Sequence, residues 1–309
     1  MAILVALCLG VSYLIHQAST SLAKQGVASG WHFLSLESGF EIGETLIEYW
    51  SDETYLKALG VGLLNTLYVA IIGNFLAVLV GLFIGVSSLS PNWLVSKLCR
   101  AYIEIARNIP LLLQLFFWYS LFNEILPDVK EAYNFGDLIF LSQRGLKFPW
   151  FVDGHWEVPV LQGFDFSGGA TLTPEFLSLI LGLVFYTGAY NAEIIRAGIE
   201  SIAKGQWEAA QSLGLSRGQM LIHIIIPQSM QVAIPPMISQ LLNLSKNSSL
   251  AVAIGYPDFV TVANTTLNQT GQAVEVISLI MIVYLTMSLT TSFLANLYHK
   301  SIALKGARK

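Results

Sequence analysis

Gln206-Trp-Glu-Ala-Ala-Gln-Ser-Leu-Gly-Leu-Ser-Arg-Gly-Gln-Met-Leu-Ile-His-Ile-Ile-Ile-Pro227 is an amphipathic stretch in an otherwise very apolar chain. It lies between two segments, 174–198 and 230–255, each long enough to cross a bilayer. The spacing predicts two turns of helix over Gln206–Leu213, stopped by Gly214 in a left-handed C-terminal position, with Pro227 opening the next element. A short polar helix carrying Glu208, held between two spans, has the make-up of a docking surface for another protein.

The rest of the chain sets the context for that loop. Of 309 residues, 54% are hydrophobic and 12% charged, and the mean hydropathy is +0.61. Soluble domains carry about 25% charged residues, so the chain reads as an integral membrane protein. Its net charge of −4 is small and scattered, which excludes a nucleic-acid partner. Cys8 and Cys99 both sit in or beside apolar segments, without a second thiol at metal-ligand spacing. Disulfide and zinc readings therefore fall away.

Apolar segments occur at about 2–16, 58–88, 101–125, 174–198, 230–255 and 273–298. The last five reach the roughly 20 residues a spanning helix needs. The first is shorter and begins at Met1 without the basic start of a signal peptide, so a spanning helix over 1–16 is the preferred reading.

Lysine and arginine set the orientation. The 89–100 connection, the Ile199–Pro227 loop, the C-terminal tail and the adjoining helix ends hold ten of the sixteen basic residues, Lys97, Arg100, Arg107, Arg196, Lys204 and Arg217 among them. The other side, 17–57 and 126–173, holds five, together with most of the acids. The Ile199–Pro227 loop and the tail are thus expected in the cytoplasm. On the outer side, 126–173 mixes acids with Phe148, Trp150, Phe151, Trp156, Phe164 and Phe166 and with turn pairs such as Asp153-Gly154. That pattern predicts a short folded excursion: a cap over the helix mouths, or a loop that docks a partner.

Within the spans, Gly73, Gly81 and Gly85 share roughly one helix face and would let a neighbouring backbone approach closely. Lys246 lies in a polar island, Leu242-Asn-Leu-Ser-Lys-Asn-Ser-Ser-Leu250, inside the fifth segment. Lipid would not tolerate this run, so it must face protein or a watery path. Pro235-Pro236 just upstream should kink or break the segment. Asn243, Lys246, Asn247 and Ser248 are therefore candidates for lining a solute pathway. The alternative is a structural Lys246 paired with Glu193 or Glu104. Glu193 and Arg196, and likewise Glu104 and Arg107, are three apart and read as helix-end pairs.

No Gly-Lys dipeptide occurs, so the chain has no phosphate-cradling loop. Its five histidines are isolated, and neither a catalytic residue nor a metal-ligand set is visible. A transporter of this build must be driven by an ion gradient or by a partner that hydrolyses ATP.

Glu208-Ala209-Ala210, Gly214, Ile224 and Ile226-Pro227 resemble the EAA loop of ATP-binding-cassette (ABC) importer permeases, with Ile226 where the family usually has leucine. Gly62-Leu-Leu-Asn-Thr-Leu67, Arg107-Asn-Ile-Pro-Leu-Leu112, Ala192-Glu-Ile-Ile-Arg-Ala-Gly-Ile199 and Asn243–Leu250 are similar to the polar and general L-amino-acid branch. The resemblance covers roughly 57–300 and implies an all-α polytopic protein of the bacterial inner membrane. Its fold would be the type I ABC importer permease fold, with five core transmembrane helices plus one N-terminal helix. The implied layout is an N-terminal helix over 1–16, a periplasmic acidic loop over 17–56, a transmembrane domain over 57–300 and a basic cytoplasmic tail over 301–309. The transmembrane domain would contain the periplasmic insertion 126–173 and the cytoplasmic coupling loop 199–228. The resemblance further implies that Glu208, Ala209, Ala210, Gly214 and Pro227 couple to an ATPase subunit, which uses ATP and Mg while this chain binds no cofactor. A second homologous permease and a periplasmic amino-acid-binding protein would complete the system. An ion-coupled secondary amino-acid transporter, with Lys246 as coupling site, is the alternative, and a membrane receptor or scaffold using the loop only for docking is a third reading.

Overall fold

A computed structural model describes residues 30–306 except 153, together with the isolated positions 10, 13 and 17. The expected N-terminal span over 1–16 and the last residues of the tail lie outside the described residues. The remaining segments form helices α1 (Tyr55–Ser87), α2 (Trp93–Asn108), α3 (Leu111–Ile125), α4 (Pro174–Glu200), α5 (Lys204–Ser212), α6 (Arg217–Met220), α7 (Ile226–Asn247), α8 (Phe259–Thr270) and α9 (Ala273–Gly306). Among the described residues, four stretches are long and apolar enough to cross a membrane: Tyr55–Ser87, Pro174–Glu200, Arg217–Ile254 and Ala273–Ala295.

The third expected span is not one straight helix. α2 and α3 meet at an angle of 105°. The cause is Asn108-Ile109-Pro110: Pro110 has no N–H, and its ring forces the preceding residue out of the helical region. Ile109 is extended, at φ −92° and ψ 126°. The side-chain amide of Gln114 donates to the Ala106 carbonyl at 2.8 Å and to the Ile109 carbonyl at 2.9 Å, satisfying groups that the bend leaves without helical partners.

The Pro235-Pro236 pair corrects the sequence reading in the opposite direction. α7 runs through both prolines unbroken. The carbonyls they free belong to Gln231 and Val232, which are exposed rather than packed in this chain's core. The helix also begins earlier than Pro227 suggests. Leu221–Ile225 forms a π turn that joins α6 to α7, its last bond running from the Ile226 N–H to the Leu221 carbonyl. This wider turn suits a site just before Pro227, which cannot donate the next helical bond. The regular helix ends instead at the polar island, where Ser248–Ile254 tightens into a 3-10 turn and Gly255 turns left-handed at φ +79°.

The chain divides into two compact units, Met1–Asn65 with Pro257–Thr286, and Thr66–Tyr256 with Met287–Lys309. The first is built around Phe33, Tyr55, Leu59, Phe259 and Val276. It contains α8, which the sequence pattern did not reveal; Asp258 caps its start by accepting from the Thr261 N–H at 2.8 Å. The second has a core around Val69, Leu115, Leu179, Leu183, Leu244 and Tyr256.

In the second unit the Gly face of α1 meets α4 and α7. A Cβ at Gly73 would lie 3.2 Å from Leu244, one at Gly85 would lie 2.7 Å from the Ala192 carbonyl, and one at Gly81 would clash with Asn191. The 126–173 excursion is folded, as expected, and is made of β-structure. Strands β1 (Tyr133–Phe135), β2 (Ile139–Ser142), β3 (Gly145–Phe148) and β8 (Ala170–Leu172) form an antiparallel sheet in the order β1-β2-β3-β8. Two hairpins project from it, β4 (Trp150–Val152) with β5 (His155–Glu157), and β6 (Val160–Gln162) with β7 (Asp165–Ser167).

Candidate functional site: a coupling helix and a polar helix end

Both candidate regions lie in the second unit, at opposite ends of α7. The candidate coupling helix α5 ends in a Schellman arrangement: the Gly214 N–H bonds the Gln211 carbonyl at 2.9 Å and the Leu215 N–H bonds the Ala210 carbonyl at 3.4 Å. Gly214 has φ +74°, a conformation that strains any residue with a Cβ. Ser216 then opens α6 with a capping box through Gln219. The whole turn is tied to the α1–α2 connection by Arg217, whose Nη2 donates to the Leu89 carbonyl at 2.9 Å.

One face of α5 is keyed into its own chain. Trp207 packs against a cluster formed by Ile195 and Ile199 of α4, Ile225 of the π turn, and Ala233 and Met237 of α7. Ala210 is 1% exposed, so its small side chain serves this internal contact rather than an external one. The resemblance assigns both Ala209 and Ala210 to ATPase coupling, and the helix turns them to different sides. Glu208 and Ala209 are exposed, and the Glu208 carboxylate makes no hydrogen bond or ion pair among the described residues. Beside them stands Leu213, 77% exposed, which the sequence reading missed. The available signal was its position, the last residue before the Gly214 helix stop.

Through the Trp207 cluster α5 packs against both α4 and α7. Their contact is tight: a Cβ at Gly198 would lie 3.2 Å from the Ser229 carbonyl and 3.3 Å from Ala233 Cβ.

At the other end of α7 the island sorts into two sets. Ser245, Ser248 and Ser249 turn their hydroxyls back onto the carbonyls of Leu241, Ser245 and Lys246, at 2.9, 2.9 and 2.8 Å. Ser245 also accepts from the Asn74 side-chain amide of α1 at 3.1 Å, which moors the island. Ser248 is fully buried and does not share the outward face. Asn243 and Lys246, three apart, are exposed, and Asn247 is half-buried beside them. Lys246 makes no ion pair among the described residues. Glu193 is held by Arg196 instead, at 2.6 and 2.9 Å. Glu104 and Arg107 do not pair; the Arg107 guanidinium stacks over the Tyr190 ring, 5.0 Å from its centroid.

Residues 77–304 match the family described as binding-protein-dependent transport system inner membrane component. The chain belongs to this family. The Escherichia coli protein YhdX is 43% identical to it over 95% of this chain and 90% of its own length. The general L-amino acid transport system permease protein AapQ of Rhizobium johnstonii is 39% identical over 95% and 88%. A crystal structure of an amino acid ABC transporter with histidines superposes with a TM-score of 0.60 at 27% identity, covering 80% of this chain and 95% of that one. These likenesses establish the type I ABC importer permease fold and an inner-membrane, non-enzymatic transport subunit. Of the two transport mechanisms open at the sequence level, family membership selects the binding-protein-dependent one.

Proposed function

We propose that this permease carries L-amino acids from the periplasm into the cytoplasm, driven by a separate ATPase subunit that docks on α5. Supporting this reading above all is the division of α5 into an internally keyed face, Trp207 and Ala210, and a free face, Glu208, Ala209 and Leu213. A helix built this way receives force on one side and delivers it on the other. Glu208 supplies a charge and Leu213 an apolar anchor for the partner's groove, Gly214 makes the turn, and the π turn with Pro227 hands the motion to α7. The paired ATPase hydrolyses ATP with Mg, a second related permease completes the pathway, and a periplasmic amino-acid-binding protein delivers the solute. The amino-acid assignment is supported by the named relatives, and Asn243, Lys246 and Asn247 form the polar face offered to the solute.

Reconstitution tests this directly. The chain, its neighbouring permease and the ATPase are placed in liposomes with a loaded amino-acid-binding protein inside or outside. ATP-dependent uptake and binding-protein-stimulated ATPase activity are expected. Uptake that continues without ATP hydrolysis and collapses with the ion gradient would contradict the proposal.

A further inference from the structure

The β-structured excursion has an end near the helices and an end away from them. The Gln143 N–H donates to the Pro127 carbonyl at 2.9 Å, just past α3. A Cβ at Gly145 would strike the Leu172 carbonyl and lie 3.1 Å from Cα of Thr173, the residue that caps α4. The β2–β3 turn is thus fixed at the mouths of these two helices. β3 leaves that end and β8 returns to it, with Leu146 opposite Leu172 and Phe148 opposite Ala170. Hairpin β4–β5 starts just after Phe148, so its root lies at the other end, about 10 Å away at 3.3 Å per residue. Hairpin β6–β7 instead folds back: Asp165 binds Arg144 of the β2–β3 turn at 2.6 Å, and the Phe166 and Phe140 rings meet at 4.7 Å.

Hairpin β4–β5 is left uncovered. Its Trp150, Phe151 and Trp156 are 54%, 56% and 68% exposed. Phe151 stands opposite Trp156, their rings edge-on at 5.5 Å, so one face carries this pair. Alternation puts Trp150 on the other face, beside Glu157. A two-stranded hairpin is only marginally stable by itself, and large aromatic rings are the usual anchors of protein interfaces. A bilayer surface would cover one face of the hairpin and leave the other wet. A second copy of this chain would bring a like-charged excursion against it, since acids outnumber bases five to three among the described residues of 126–173. A groove in a soluble protein accepts both faces. The family to which the chain belongs is defined by its dependence on such a protein, the binding protein.

Resting on the transport reading above, which sets this excursion in the periplasm, we propose that hairpin β4–β5 is a docking element for the amino-acid-binding protein. Trp150, Phe151 and Trp156 enter an apolar groove of that protein, and the acidic balance of the excursion calls for a basic rim around it.

The test uses the assembled transporter in proteoliposomes, titrated with the purified binding protein loaded from a mixture of L-amino acids. F151S/W156S should raise the binding-protein concentration that half-stimulates the ATPase about thirtyfold, the loss usual for interface anchors. Basal ATPase activity and maximal stimulation should stay as in the wild type. An unchanged half-stimulating concentration overturns the docking role while leaving the transport reading intact. A wild-type transporter that the binding protein does not stimulate overturns the transport reading and the docking with it. If F151S/W156S does not assemble, Trp156→p-benzoylphenylalanine decides by photo-crosslinking in the same proteoliposomes. A cross-link to the binding protein supports the proposal, whereas adducts only to lipid or to the second permease overturn it.

Discussion

Gln114, one turn into α3, holds the carbonyl of Ala106, near the end of α2, at 2.8 Å, so that a single buried amide bridges the bend at Pro110. The bend could not persist at this depth with bare carbonyls, since a buried acceptor without a partner is penalised more than a hydrogen bond is worth. Gln114→Leu should therefore destabilise the protein by about 1–3 kcal/mol. Thermal unfolding of the detergent-purified chain measures this, and an unchanged transition would remove Gln114 from the account of the bend.

The two alanines of the coupling helix should separate assembly from folding. Ala210→Leu overfills the contact beneath α5 and should lower stability by about 1–3 kcal/mol. Ala209→Leu, Leu213→Asp and Glu208→Lys act on the exposed face and should leave stability within about 0.5 kcal/mol of wild type. Those three should weaken ATPase co-purification, and Glu208→Lys should abolish uptake while the protein still inserts. Normal uptake by Glu208→Lys would detach the loop from coupling.

Lys246→Met keeps length and bulk but removes the charge offered by the polar face. Uptake in proteoliposomes should fall while complex assembly stays intact. A variant that merely expresses poorly, with normal uptake per assembled complex, would mark Lys246 as structural.

Asp258 gives the chain a pH signature. It is 1% exposed, and burial pushes its carboxyl up from 3.8 to about 6, against the pull of the Thr261 amide and hydroxyl that donate to it. The raised value means that the folded chain favours the protonated acid. Its stabilising contribution is complete below about pH 3.8 and is lost as pH rises through about 6. Asp258→Asn keeps the cap on α8 and should flatten the stability profile across this window, by something of order 3 kcal/mol at about 1.4 kcal/mol per tenfold change in proton affinity. Unfolding curves at pH 4 and pH 7 compare the two proteins directly, and parallel profiles would refute the assignment.

The spans and the coupling loop were legible because they rest on local rules. Apolar runs report burial in lipid, and Gly214 after Leu213 reports a helix stop. The glycine face of α1 was readable for the same reason, since eight- and four-residue spacing has one geometric meaning on a helix. What the sequence concealed depended on neighbours. Pro110 bends the chain where Gln114 can catch the carbonyls, while Pro235 and Pro236 leave α7 intact with their freed carbonyls on its outer side. Polarity alone could not separate Ser248, which is turned inward, from Asn243 and Lys246, which face out. Ala209 and Ala210 parted company for a similar reason, because only the packing of Trp207 fixes which side of α5 is inside. α8 went unseen because its Thr- and Asn-rich sequence, Phe259–Thr270, carries its signal only in the Asp258 cap and the Gly271 stop.

The π turn at Leu221–Ile225 has a consequence for timing around the helix axis. It inserts one residue into a rod that otherwise repeats every 3.6 residues, so everything after Ile226 is rotated by about 100° relative to the start at Arg217. That offset decides which residues before Ile226 share a face with those after it, and the turn's own Ile225 packs with Ala233 and Met237 in the Trp207 cluster. The relative facing of the helix on either side of Ile226 thus depends on a single wide turn.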